Sequence, residues 1–194
     1  HFTDRTIWFD PLPDLLFDRP PCFRLDPSDP WIRRHEAVYR KVAEAAGWDD
    51  FMLGQPCLLP ASDVLSAYLG PQRFLEALLL EPAWMDQALR QMTRALLEEK
   101  RRLRKLVEPL HAFWYGLAGW MPFWAPEPFL GTQSDVSCMM SPDQFERYVI
   151  PELEAVGREF GAIWYHLDGR DARHHLPRLL SLPALRVLQY TPSP

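Results

Sequence analysis

Apolar residues recur most regularly between Pro82 and about Val107, where Met85, Leu89, Met92, Leu96, Leu103 and Leu106 fall three, four or seven positions apart. That stripe predicts one long amphipathic helix. Its end carries Lys100, Arg101, Arg102, Arg104 and Lys105, expected to form a solvated face that complements the helix dipole. A second helix is predicted from Pro30, with Asp29 as N-cap, Gly47 as stop, and Trp31, Val38, Val42 and Ala45 as its apolar stripe. The runs Phe51-Met52-Leu53 and Cys57-Leu58-Leu59 suit a buried strand and its exit. A short helix is expected from Ser62 or Asp63 to Leu69, closed by Gly70.

The pattern changes in the last third of the chain. His111 to Tyr115 reads as a strand, Gly116 to Pro128 as a loop, and Phe129 to Asp135 as a second strand. Ser141-Pro142-Asp143-Gln144 is a capping box with proline at the first helical position. The helix it opens turns Phe145, Val149, Leu153, Val156 and Phe160 inward, and Pro151 is expected to kink it. Ala162 to His166 is a buried strand ending in Leu167-Asp168-Gly169, Ala172 to Leu180 a short helix, and Leu185 to Tyr190 a further strand. Strand, helix, strand, helix, strand is the order of parallel α/β architecture, in which polar residues just past the strand ends face the ligand. Asp135, His166 with Asp168, and Gln189 with Tyr190 occupy three such ends.

Composition narrows the classes. The 194 residues carry 21 Lys+Arg against 26 Asp+Glu, and this net charge of −5 argues against a nucleic-acid binder. No apolar run is long enough to span a bilayer and no signal peptide opens the chain, so a cytoplasmic protein without membrane partners is expected. Three scattered cysteines (Cys22, Cys57, Cys138) do not make a disulfide scaffold. Twenty prolines, roughly twice the usual ~5%, suggest structured loops and a walled pocket. Residues 1–30 hold six of them and should be extended, with 31–194 forming the rest of a single domain. Beginning at His1 and stopping at Pro194, just after an apolar run, the chain reads as a fragment.

The segment Gln133-Ser-Asp-Val-Ser-Cys-Met-Met-Ser-Pro-Asp-Gln-Phe-Glu-Arg-Tyr-Val-Ile-Pro-Glu-Leu153, together with Tyr165-His-Leu-Asp-Gly169, resembles the uroporphyrinogen decarboxylase superfamily, which also contains corrinoid-linked methyltransferases. Ser62-Asp63-Val64-Leu65 with Gly70 is similar to the decarboxylase segment whose Asp is catalytic, with a shorter spacing to the glycine. The resemblance covers roughly residues 50 to 192. It implies an α/β fold, a (β/α)8 TIM barrel incomplete in this chain, with the Met85–Leu106 helix on its outside. It also implies a cytoplasmic enzyme acting on a small molecule, and it is compatible with a homodimer. The family's Arg-rich N-terminal motif and its C-terminal His or zinc-binding Cys segment are not visible here.

Two functions follow from that resemblance. The first is cofactor-free decarboxylation of a multi-carboxylate or tetrapyrrole-like substrate. Asp63 would hydrogen-bond pyrrole N–H groups and stabilise developing positive charge; as a residue, it serves equally as a helix cap. Asp135, His166 and Asp168 complete the catalytic set. Gln133, Ser134, Trp120, Trp124, Tyr165, Gln189 and Tyr190 are the substrate-binding candidates. The aromatic residues Trp114, Trp120, Phe123 and Trp124 form either a pocket wall or core.

The second function is zinc-dependent methyl transfer from a corrinoid protein to a thiol. There the chain keeps the family's His but has Asp168 where a Cys would sit. His166 and Asp168 supply only two ligands, and no cysteine has a claim on a third place, so no metal is expected. An imidazole–carboxylate hydrogen bond between them is expected instead, favouring protonated His166 as a proton donor. A third outcome is a diverged member with a rebuilt pocket.

Overall fold

The computed structural model describes residues 10–12, 17–45, 53–55, 59–110, 116–117 and 123–192. The helices are α1 (Pro30–Ala45), α2 (Ala61–Leu69), α3 (Pro71–Leu80), α4 (Pro82–Val107), α5 (Pro142–Tyr148), α6 (Ile150–Phe160) and α7 (Leu176–Leu180). The strands are β1 (Gly54–Gln55), β2 (Gly116–Leu117), β3 (Phe123–Trp124), β4 (Leu130–Gln133), β5 (Ile163–Asp168) and β6 (Leu185–Thr191). Two 3-10 turns, Asp135–Met139 and Asp171–His175, leave the ends of β4 and β5.

The expected incomplete TIM barrel is not what the described residues form. Six short strands make two separate three-stranded sheets, β1-β2-β3 and β4-β5-β6, and neither closes on itself. The first is mixed and only two residues deep: β1 runs parallel to β2, and β2 antiparallel to β3. The second is parallel throughout, with helices as the crossovers, as the alternation from residue 129 implies. Strand-to-strand closure is a property of many elements at once, so a local resemblance around two strand ends does not establish it.

Within the parallel sheet, side chains alternate between two faces. Ile163, Tyr165 and Leu167 enter the main core with Leu65, Phe74, Met85, Phe145 and Leu153 from the helices. The opposite face carries Trp164, His166 and Asp168. Register places Gln133, His166 and Gln189 side by side on that second face, one from each strand.

The helices follow the caps more faithfully than the stripes. Ser141 Oγ accepts from the Gln144 N–H, and the Gln144 side chain accepts from the Ser141 N–H, so the capping box opens α5 as expected. Pro151, lacking the N–H that would bond to Arg147, breaks the helix at Val149 and starts α6. Gly70, at φ 81°, ends α2 and leads directly into α3, whose first residue is Pro71. A Cβ at Gly70 would stand 3.2 Å from Pro11. Helix α3 lies where the sequence offered only a stop signal. The Pro-rich segment is strapped onto α4: the Trp84 indole donates to Arg19 O, Gln91 Oε1 accepts from Phe23 N–H, and Gln91 Nε2 donates to Pro21 O.

Two helix faces depart from expectation. Trp31 (72% exposed), Val38 and Val42 of α1 point to solvent, while Tyr39 and Ala43 are buried. Half-buried His35 and Glu36 meet Glu99 and Arg102 of α4, so polar pairing rather than the apolar stripe sets the contact. For the same reason the basic tail of α4 is not wholly solvated: Lys100 is 1% exposed and Glu99 is 4%. The predicted strand His111–Tyr115 and most of the runs at 51–53 and 57–59 lie outside the described residues. No helix among the described residues is long and apolar enough to cross a membrane.

Candidate functional site

The row Gln133–His166–Gln189 lies where three parallel strands end, and two acids stand just beyond it. A nitrogen of His166 and carboxylate oxygens of Asp135 and Asp168 all lie within 4.8 Å of one another. His166 Nδ1 is hydrogen-bonded to Gln189 Oε1. The Gln189 amide nitrogen donates to Thr191 Oγ1 at 2.8 Å, which turns Oε1 toward the imidazole. In that arrangement Nδ1 donates its proton to Gln189.

The segment bearing Asp135 is fixed from several sides. Asp63 Oδ2 accepts from the Asp135 N–H (3.1 Å) and the Gln133 amide (3.4 Å), and Oδ1 accepts from the Val136 N–H (3.1 Å). Asp63 thus caps the 3-10 turn after β4 from a distant helix. It does not cap α2, which begins after Pro60. Ser62 Oγ and Ser134 Oγ share a buried hydrogen bond of 2.8 Å, and Ser137 Oγ donates to Ser134 O. At the other end of the turn, His175 donates to Ser137 O and His174 to Met140 O. These two histidines tie the turn after β5 to the turn after β4.

The electrostatics are those of crowded acids. Loss of hydration at the strand ends raises the Asp135 carboxyl to about 6, the Asp63 and Asp168 charges add to the rise, and His166 opposes it. Gln133 donates to Asp135 Oδ2 at 2.8 Å. Burial pushes Asp63 up, against the three hydrogen bonds that pull it down. A carboxyl near 6, exposed at the mouth and held by the Gln133 amide, can both give and take a proton at neutral pH.

The structure gathers Asp63, Gln133, Asp135, His166, Asp168 and Gln189 into this site. It removes others. Tyr165 is fully buried on the core face of β5 because it alternates with His166. Tyr190 pairs with Leu167 in register and so lies on that same face, away from the row. Ser134 is buried against Ser62 and holds α2 to the strand end instead of facing a ligand. Trp124 belongs to the small mixed sheet, not to the parallel sheet that carries the row, and is 48% exposed. Trp114 and Trp120 lie outside the described residues. The expected imidazole–carboxylate pairing is replaced at Nδ1 by Gln189. Thr191, which orients Gln189, was missed; its place two residues on along β6 is the signal that marks it.

The third metal-ligand position, which no cysteine could fill, is offered by Asp135. One imidazole and two carboxylates form a hard donor set. It suits a divalent ion that prefers oxygen and fits poorly the electron-rich zinc that activates a thiolate. Against these features, no family model, curated protein or solved structure matches the chain.

Proposed function

We propose that the chain is an enzyme similar to the uroporphyrinogen decarboxylases, performing cofactor-free decarboxylation of a tetrapyrrole-like small molecule in the cytoplasm. The observation that carries this reading is the Asp135–His166–Asp168 group, set on the Gln133–His166–Gln189 row at parallel strand ends. Its acids suit substrate N–H donors, and substrate carboxylates would point away from them. Asp63 is occupied with backbone N–H groups, so pyrrole contact passes to Asp135 and Asp168.

In this reading Asp135 protonates a ring carbon and the Asp168 carboxylate stabilises the resulting cation. The bond to the departing carboxylate breaks and its electron pair returns to the ring system as CO2 leaves. A second proton, delivered through His166 from solvent, completes the new methyl group, and the ring proton returns to Asp135. One proton is consumed per CO2 released. Incubating the protein with uroporphyrinogen under reducing conditions is expected to yield coproporphyrinogen. Asp135→Asn and His166→Ala are expected to lose that activity at least 100-fold. No coproporphyrinogen from the unaltered protein rejects the reading.

The 4.8 Å donor group favours one second reading, a divalent metal held by Asp135, His166 and Asp168. The zinc-dependent methyltransferase with a corrinoid protein as partner would use these same three residues, although two carboxylates and one imidazole make a harder site than thiolate activation wants. Elemental analysis separates the two: one zinc per chain, lost in Asp168→Ala, moves the second reading to first place.

A further inference from the structure

Helix α4 and the α5–α6 pair leave a groove of about 320 Å³ between them. Its floor is mostly apolar, made by buried Leu89, Leu97 and Tyr148 with half-buried Ala155, and includes buried Thr93 and Glu152. Its rim carries four arginines: Arg90 and Arg94 of α4, Arg147 of α5 and Arg158 of α6. Such a basic rim is unexpected on a chain with a net charge of −5.

Two of the four arginines are already paired with acids, Arg158 with Glu154 at 3.9 Å and Arg147 with Asp86, which leaves Arg90 and Arg94 as the open charges. Asp86 is engaged by Arg147 through two hydrogen bonds of 3.1 and 2.8 Å. Glu152 lies in the floor, 5% exposed, with both oxygens accepting from the Ala61 N–H at 3.3 and 3.0 Å. Burial pushes its carboxyl up to about 8, so at neutral pH it brings little negative charge to the floor. Arg90 and Arg94 are exposed and, among the described residues, make no ion pair or hydrogen bond. Four residues apart on one helix, they stand as neighbours on one face.

We propose that this groove binds a small organic carboxylate, its apolar body on the Leu89–Leu97 floor and its head between Arg90 and Arg94. The volume falls at the lower end of small-molecule sites, roughly 300–1,000 Å³. Guanidinium forks match the planar, two-oxygen geometry of a carboxylate. The site is separate from the strand-end group and independent of the decarboxylase reading.

Isothermal titration of the whole chain with decanoate, decyl phosphate, decanol and decyltrimethylammonium, each below its micellar range, tests it. Saturable 1:1 binding of decanoate is expected, with no binding of the ammonium or the alcohol. Arg90→Gln combined with Arg94→Gln should weaken decanoate at least tenfold with far-UV circular dichroism unchanged, and Arg94→Glu alone should do the same. The proposal fails if decanoate shows no saturable binding, or if the arginine variants bind it as tightly as the parent. Equal binding of the ammonium or alcohol also overturns it, as does binding of decyl phosphate alone.

Discussion

Asp135 holds its carboxyl beside those of Asp63 and Asp168, with a donor from Gln133 and a protonatable ring from His166 to offset them. The folded chain therefore keeps a proton there to about pH 6, whereas the unfolded chain releases it near 3.9. Between those values the native state binds more protons, so stability falls as pH rises from about 4 through about 6. Asp135→Asn keeps an oxygen for Gln133 and removes the charge. It should stabilise the protein at pH 7 by at most about 1 kcal/mol, because solvent screens part of the repulsion at an exposed residue. The gap should close near pH 4. Urea unfolding at the two pH values measures it, and an equal gap at both refutes the electrostatic account. Strand-end logic was enough to find Asp135, His166, Asp168 and Gln189, since each lies at or just beyond the end of a parallel strand. It could not show that Asp63 caps a turn 72 residues away, because that contact depends on how α2 is docked.

Elements are placed by contacts that local patterns do not encode. On α1 the stripe Trp31, Val38 and Val42 is apolar yet exposed, because Tyr39 hydrogen-bonds to Gly54 O and Glu36 pairs with Arg102 on the opposite face. Helix α3 was hidden because Gly70 is at once the end of one helix and the residue before the next. Glu152, one residue after Pro151, looks like an exposed first-turn acid, and instead it is the tie between α6 and α2 through the Ala61 N–H. Gly157 in the middle of α6 gives a sharp test of packing against propensity. By propensity, Gly157→Ala would gain about 1 kcal/mol. A Cβ there would sit 2.5 Å from the Ala184 Cβ, a contact neither short side chain can relieve. Overpacking should win, and the variant should lose about 1–2 kcal/mol with a lower Tm. A raised Tm would show that the loop before β6 yields freely.

At the scale of the molecule, the architecture is a helical layer packed on one face of a short parallel sheet, with a second small sheet and α1 attached at the other end of α4. The barrel inferred from two strand-end segments required closure that neither sheet has. The parallel order from β4 to β6 needed only consecutive local signals, and was legible for that reason. This division has a thermodynamic consequence. The main core runs continuously from Leu65 and Phe74 through Met85 and Leu97 to Phe145, Leu153 and Ile163. Helix α1 instead joins a satellite cluster of Tyr39, Ala43 and Leu53 with Leu103 and Val107, the last two turns of α4. Opening that cluster exposes far less apolar surface than opening the core, so its free energy of opening should be well below the global value. Hydrogen exchange followed by mass spectrometry should find the slowest amides in β5 and between Met85 and Leu97, with α1 and the last turns of α4 exchanging earlier and together. The ion pair Glu36–Arg102 should not reverse the order, since such a partly exposed pair contributes about 0–1 kcal/mol. If α1 amides exchange as slowly as those of Met85–Leu97, the molecule opens as a single unit and the satellite cluster has no independent stability.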